Sequence, residues 1–168
     1  RACGVDRKIG QKGVCGQTDR LKVARAALHY WEEPCISGKE GSGAVFFSGC
    51  ALHCVFCQNQ NIANGTAGKE ISIGRLSEIF LELQEKGANN INLVTPGHFV
   101  RQITEALDLA RKNGLHLPIV YNTSSYENVE TIRMLDGYVD IYLPDYKYKS
   151  SRLSEMYSHA PDYPEVAA

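Results

Sequence analysis

Ala44-Val45-Phe46-Phe47-Ser48-Gly49-Cys50-Ala51-Leu52-His53-Cys54-Val55-Phe56-Cys57 joins a short apolar run to three cysteines in C-x₃-C-x₂-C spacing. The run reads as a buried strand, and the thiols occupy the loop that follows it. Three cysteines this close together look like an iron–sulfur site. A four-iron cluster normally takes four thiolates, so a site built by three leaves one iron without a protein ligand. An open coordination position marks chemistry, by the logic that separates catalytic from structural zinc.

Outward from this stretch, the pattern alternates. Leu76, Ile79, Phe80 and Leu83 recur at helical spacing, with Ser72 as a cap and Gly87 past the end. Ile91-Asn92-Leu93-Val94 reads as a strand, and Phe99, Ile103, Leu107 and Ala110 form a second helical stripe closed by Asn113-Gly114. Leu117-Pro118-Ile119-Val120-Tyr121 is a third strand, with Pro118 required near its start. A helix carrying Val129, Ile132 and Leu135 precedes a strand over Val139-Asp140-Ile141-Tyr142-Leu143, and a Ser-rich start leads to a last helix near Leu153 and Met156. Four strand–helix repeats predict an α/β fold with a parallel sheet.

On the other side of the cysteines the first 40 residues read differently. Gly4, Gly10, Gly13 and Gly16 punctuate a polar segment, and a short helical stretch is expected around Leu21 to Trp31, ended by Pro34. Residues 1–40 are therefore expected as an irregular N-terminal extension, and 41–168 as the core. Four βα units fall short of a closed barrel, which takes about 250 residues, and of an open doubly wound sheet, which has about five or six strands. The polar tail Ala160-Pro161-Asp162-Tyr163-Pro164 adds no strand. The expectation is a piece of a longer protein with an unpaired edge at the strand over 139–143.

With 168 residues, 43% apolar, and a net charge of −1, the chain has the composition of a soluble globular protein with one core. The charge gives no electrostatic reason for a nucleic acid or an anionic membrane as partner. No apolar run approaches the ~20 residues that span a bilayer, and the start Arg1-Ala2-Cys3-Gly4 has no signal-peptide core. A cytoplasmic chain is expected. Six cysteines allow three disulfides, but the tight trio favours metal binding in a reducing compartment.

In parallel α/β folds the binding groups collect on the loops after the strands. Those loops are the cysteine segment running on into Gln58-Asn59-Gln60-Asn61, then Thr95-Pro96-Gly97-His98, Asn122-Thr123-Ser124-Ser125 and Pro144-Asp145-Tyr146-Lys147. The combination of Phe46-Phe47-Ser48-Gly49-Cys50 with Cys54-Val55-Phe56-Cys57-Gln58-Asn59 resembles the radical S-adenosylmethionine (SAM) superfamily, and within it the group related to pyruvate formate-lyase activating enzyme. The segment Arg25-Ala26-Ala27-Leu28-His29-Tyr30-Trp31-Glu32-Glu33-Pro34-Cys35 is similar to activase-like members of that group.

The resemblance implies a partial (β/α) TIM-like barrel of radical SAM type, truncated after about four units. It implies a [4Fe-4S] cluster held by Cys50, Cys54 and Cys57, with SAM chelating the fourth iron. Phe56 would lie beside the adenine and Asn59 would hold the SAM. Thr95, Pro96, Gly97 and His98 stand where relatives carry a Gly-Gly-Glu-Pro motif, and here the acid is missing. Asn122 matches a Thr-Asn-Gly turn, and Asp145 with Lys147 an Asp-x-Lys motif near the SAM. The implied activity is reductive cleavage of SAM to a 5′-deoxyadenosyl radical for hydrogen abstraction. A flavodoxin- or ferredoxin-like one-electron donor would supply the electron. In glycyl-radical activases the substrate is a backbone glycine of a partner enzyme; a small-molecule substrate is the alternative.

Plainer readings stand beside these. The trio completed by His53 or Cys35 would be a structural zinc in a binding module without catalysis. Phe56 fits core packing, Asn59 and Asn122 fit turns, His98 fits a first helical turn, and Asp145 with Lys147 fits an exposed ion pair. Cys3 and Cys15 read as free structural thiols or as half of a second metal site. Cys35 reads as a small buried hydrophobe.

Overall fold

The computed structural model describes residues 3–168, so the Arg1-Ala2 start lies outside the described residues. Six strands form one sheet: β1 (Lys22–His29), β2 (Ser42–Phe47), β3 (Lys69–Glu70), β4 (Ile91–Val94), β5 (Ile119–Thr123) and β6 (Ile141–Pro144), in the spatial order β3-β1-β2-β4-β5-β6. The last four of that order, β2, β4, β5 and β6, are parallel and adjacent, as the strand–helix repeats require. Among the described residues the sheet is open and does not close into a barrel.

The sheet is mixed, which corrects the all-parallel expectation. β1 and β3 run antiparallel to their neighbours. The stretch expected as a helix around Leu21 to Trp31 is the strand β1, so the extension is not irregular to residue 40. The register shifts between Val23 and Arg25, a bulge-like break that throws Leu21 and Val23 out of phase with Ala26 and Leu28. With the two-residue alternation interrupted, an alanine-rich run looks helical; pairing along β2 outweighs that propensity.

Four short helices, α1 (Pro34–Ser37), α2 (Gln60–Ala63), α5 (Val129–Arg133) and α7 (Tyr163–Ala167), accompany three longer ones: α3 (Ile73–Glu85), α4 (Val100–Lys112) and α6 (Ser151–Ser158). Ser72 caps α3 by accepting from the Arg75 N–H at 3.0 Å. Pro118 precedes β5, where its missing N–H costs no ladder bond. The main core lies between the sheet and the α3–α4 pair, with Val45, Phe47, Leu76, Phe80, Leu93 and Ile103 buried in it.

α6 forms where the last helix was expected, over residues that include Leu153 and Met156, but serines make its buried face. Ser154 and Ser158 are its buried residues, whereas Leu153 and Met156 are exposed. The reason is a tyrosine cluster: Ser158 Oγ pairs with the Tyr148 hydroxyl at 2.6 Å, and Tyr148 packs on Leu52, Ala160 and Tyr163. Small hydroxyl residues let the helix sit close against those rings. Among the described residues no helix is long and apolar enough to cross a membrane.

Because side chains alternate along a strand, the residues between those of the main core point to the opposite face of the sheet. That face presents Arg25, His29, Phe46, Asn92, Val94 and Asn122, and it carries the larger cavity.

Candidate metal centre and adjoining cavity

The chain leaves β2 through Ser48 and turns at Gly49, whose φ of +91° suits only glycine at low cost. A Cβ there would also run into the Cys15 carbonyl oxygen. The Gly49 N–H donates to the Ile62 carbonyl at 2.8 Å, and Val55 N–H donates to Tyr157 O at 2.9 Å, so both sides of the cysteine loop are tied down. Leu52 is the anchor, buried with Tyr148, Ala160 and Tyr163, while Cys50 and Cys54 pack against that cluster.

Cys50, Cys54 and Cys57 line a single cavity of about 560 Å³. Burial pushes the Cys50 thiol up, and negative charge on Cys54 and Cys57 pushes it further, although backbone N–H groups of Leu52 and His53 pull it back. The Leu52 N–H lies 3.4 Å from the Cys50 sulfur. Such a thiol stays protonated until a cation replaces its proton. Among the described residues no group of three or more His, Cys, Asp or Glu side chains gathers so as to hold a single metal ion. Three soft thiolate donors around one cavity fit the ligand set of a multi-iron cluster.

Neither candidate fourth ligand for zinc joins them. His53 is exposed and donates from Nε2 to the Val14 carbonyl at 2.6 Å. Cys35 is exposed, not buried as expected. It sits beside Ile36, whose carbonyl accepts from Asn90 Nδ2 at 2.8 Å just before β4 begins. The trio follows the opposite ends of the parallel strands.

Six of the nine residues implied to contact SAM line the same cavity as the thiols. Phe56, Asn59 and Thr95 lie there with Asn122, Asp145 and Lys147. Phe56 is 57% exposed, which removes the core-packing reading. Asn59 stands at the N-terminus of α2 without making a side-chain cap bond. Asp145 Oδ2 pairs with Lys147 Nζ at 2.7 Å. Burial pulls the lysine down, but the Asp145 carboxylate prevails and holds it above the ordinary lysine range. Asn122 is engaged, donating from Nδ2 to the Glu32 carboxylate at 2.9 Å.

Thr95 has φ of +55°, rare for a β-branched residue and costly by about 1–3 kcal/mol. Beyond it the loop turns away. Gly97 and His98 line a smaller cavity of about 70 Å³, together with Thr95, Cys3, Cys15 and Cys50, and Pro96 begins the 3₁₀ turn over Gly97–Phe99. His98 donates from Nε2 to Ser48 O at 2.7 Å, and burial lowers its pKa to about 4. Cys3 and Cys15 are free thiols.

Sequence reasoning missed a further part of the wall. Arg25, His29, Trp31 and Glu32 line the larger cavity from β1 and the turn after it. Once β1 is read as a strand, the alternation of Arg25, Ala27 and His29 is the signal that finds two of them. Glu127 was also missed; it accepts from Tyr121 at 3.1 Å and Thr123 at 2.8 Å and packs on Gly97, where a Cβ would run into its carboxylate.

The family model of the 4Fe-4S single cluster domain matches residues 36–158, a span that contains all three cysteines. The chain is 29% identical over 176 residues to the uncharacterized protein MJ0674 of Methanocaldococcus jannaschii. That alignment covers 98% of the chain and 48% of the relative, so the chain spans about half the length of the curated relative it matches. No solved structure gave a significant match. By the match over most of its length, and with its three thiols on one cavity, the chain belongs to the 4Fe-4S single cluster domain family.

Proposed function

We propose that this chain carries the cofactor site of a radical SAM enzyme of the glycyl-radical-activase type. The observation that supports this reading most is one cavity lined both by Cys50, Cys54 and Cys57 and by the loops after β4, β5 and β6. When bound, the [4Fe-4S] cluster supplies the one-electron chemistry that splits SAM into methionine and a 5′-deoxyadenosyl radical able to take a hydrogen atom from substrate. Cys50, Cys54 and Cys57 hold the cluster. Phe56 offers an exposed ring edge for the adenine, and Asn59, Thr95 and the Asp145–Lys147 pair offer polar contacts to the rest of SAM. The sheet face excludes water from beneath. An external donor of flavodoxin or ferredoxin type delivers the electron, in a reducing compartment that keeps the thiols free.

An exposed aromatic favours a polypeptide substrate over a small molecule. Trp31 is 91% exposed and stands on the cavity wall. Exposed aromatics at a cavity mouth are the usual anchors of a protein partner.

The test is anaerobic reconstitution with iron and sulfide, followed by dithionite and SAM. The protein is expected to take up cluster iron and release 5′-deoxyadenosine. Cys54→Ala is expected to lose both iron and product, and Cys35→Ala to keep both. A protein that takes up zinc but no iron, or iron loss in both variants, overturns the reading.

A further inference from the structure

The cavity has a polar floor that neither the thiols nor the strand-end loops account for. Glu32 follows β1, and its backbone N–H donates to Ser37 Oγ at 3.0 Å. The Glu32 Oε2 atom accepts from Asn92 Nδ2 on β4 and from Asn122 Nδ2 on β5, each at 2.9 Å. Both amides use the same oxygen, and Oε1 receives neither. Asn92 is fully buried, and its Oδ1 has no hydrogen-bond partner among the described residues. Burial raises the Glu32 carboxyl above its ordinary range, and the Glu33 carboxyl, close enough to share a hydrogen bond with it, adds to the rise.

The acceptor left without a donor is the buried Asn92 oxygen, and the half-buried Glu32 beside it presents a second carboxyl oxygen that neither amide uses. A buried amide oxygen left without a donor is destabilising, and a carboxyl held beside a second carboxyl favours a cation or a donor close to it. The two Asn amides supply part of what Glu32 needs, on one oxygen only. What the cluster lacks is N–H or O–H hydrogen. A hydroxyl brings one such hydrogen, whereas an ammonium or primary amide brings two or more.

We infer that Glu32, backed by Asn92, forms a substrate-recognition subsite on the cavity floor that takes a nitrogen-borne donor group, an ammonium or an amide N–H. The identification of this ligand as substrate rests on the function proposed above; the donor preference does not. Glu32 and Asn122 line the cavity that the thiols line, so a ligand held here lies in the same enclosure as the reacting centre. Arg25 and His29 face that enclosure from β1, and an acidic group on a ligand would meet them instead.

The experiment titrates the anaerobically reconstituted protein with n-butylammonium, butyramide and butyrate by calorimetry. At least one nitrogen probe is expected to bind about tenfold more tightly than butyrate. Glu32→Gln is expected to weaken n-butylammonium about tenfold and to leave butyrate unchanged; Asn92→Leu is expected to weaken the nitrogen probes severalfold. The stronger of n-butylammonium and butyramide tells an amine ligand from an amide. Nitrogen probes that bind no better than butyrate, that give no measurable heat, or that are indifferent to Glu32→Gln and Asn92→Leu overturn the subsite. A nitrogen preference in a protein that releases no 5′-deoxyadenosine removes the proposed radical function and leaves the subsite standing.

Discussion

His98 turns its ring under the Ser48 carbonyl, so Nε2 carries the proton that is donated, and the imidazole is neutral. Burial, and to a smaller degree the Arg7 guanidinium, lower its pKa from 6.5 to about 4. The unfolded chain therefore takes up a proton near pH 6.5, where the native ring does not. Stability is highest above that pH, falls as pH drops from 6.5 toward 4, and changes no further through this group below about 4. In urea titrations the unfolding free energy should fall by about 2 kcal/mol from roughly pH 8 to pH 5 through His98. His98→Gln, which keeps a donor for Ser48, should show most of that fall removed; an unchanged pH slope would contradict the assignment. The position was legible in the sequence as part of a strand-end loop. Its role was not, because the Ser48 partner lies 50 residues away.

At the scale of elements, the loop after β2 depends on one turn. Gly49 holds φ of +91° and lies against the Cys15 carbonyl, so Gly49→Ala combines left-handed strain of about 1–2 kcal/mol with a backbone clash. A lower thermal midpoint is expected, together with less iron per chain after reconstitution, since the turn aims Cys50. Normal iron loading in a stable Gly49→Ala protein would show that the turn does not position the thiol. The helices α3 and α4 were readable because their apolar stripes repeat at 3.6 residues and carry their own caps, as Ser72 does. The strand β1 was not, because a break at Val23–Arg25 interrupts its alternation and its partner β2 lies elsewhere in the chain. α6 was readable as a helix but its buried face was not, because that face is made of serines, one of which, Ser158, pairs with Tyr148.

At the scale of the molecule, the sheet among the described residues has β6 at one edge, paired on one side with β5. Ile141 and Tyr142 on this edge are 37% and 40% exposed, and an apolar open edge recruits further strands. Sedimentation at rising concentration should show self-association of this chain, and Ile141→Lys should reduce it; a strictly monomeric parent chain would contradict this. The thiol trio was legible from the start because three ligands within eight residues are gathered by the covalent chain itself, and strand–helix order follows from local periodicity in the same way. The cavity floor is different in kind. Glu32, Asn92 and Asn122 are separated by 60 and 90 residues, and no local pattern marks them. They meet because β4 and β5 pair in register while the turn after β1 folds back beneath them, so their hydrogen bonds exist only in the assembled sheet.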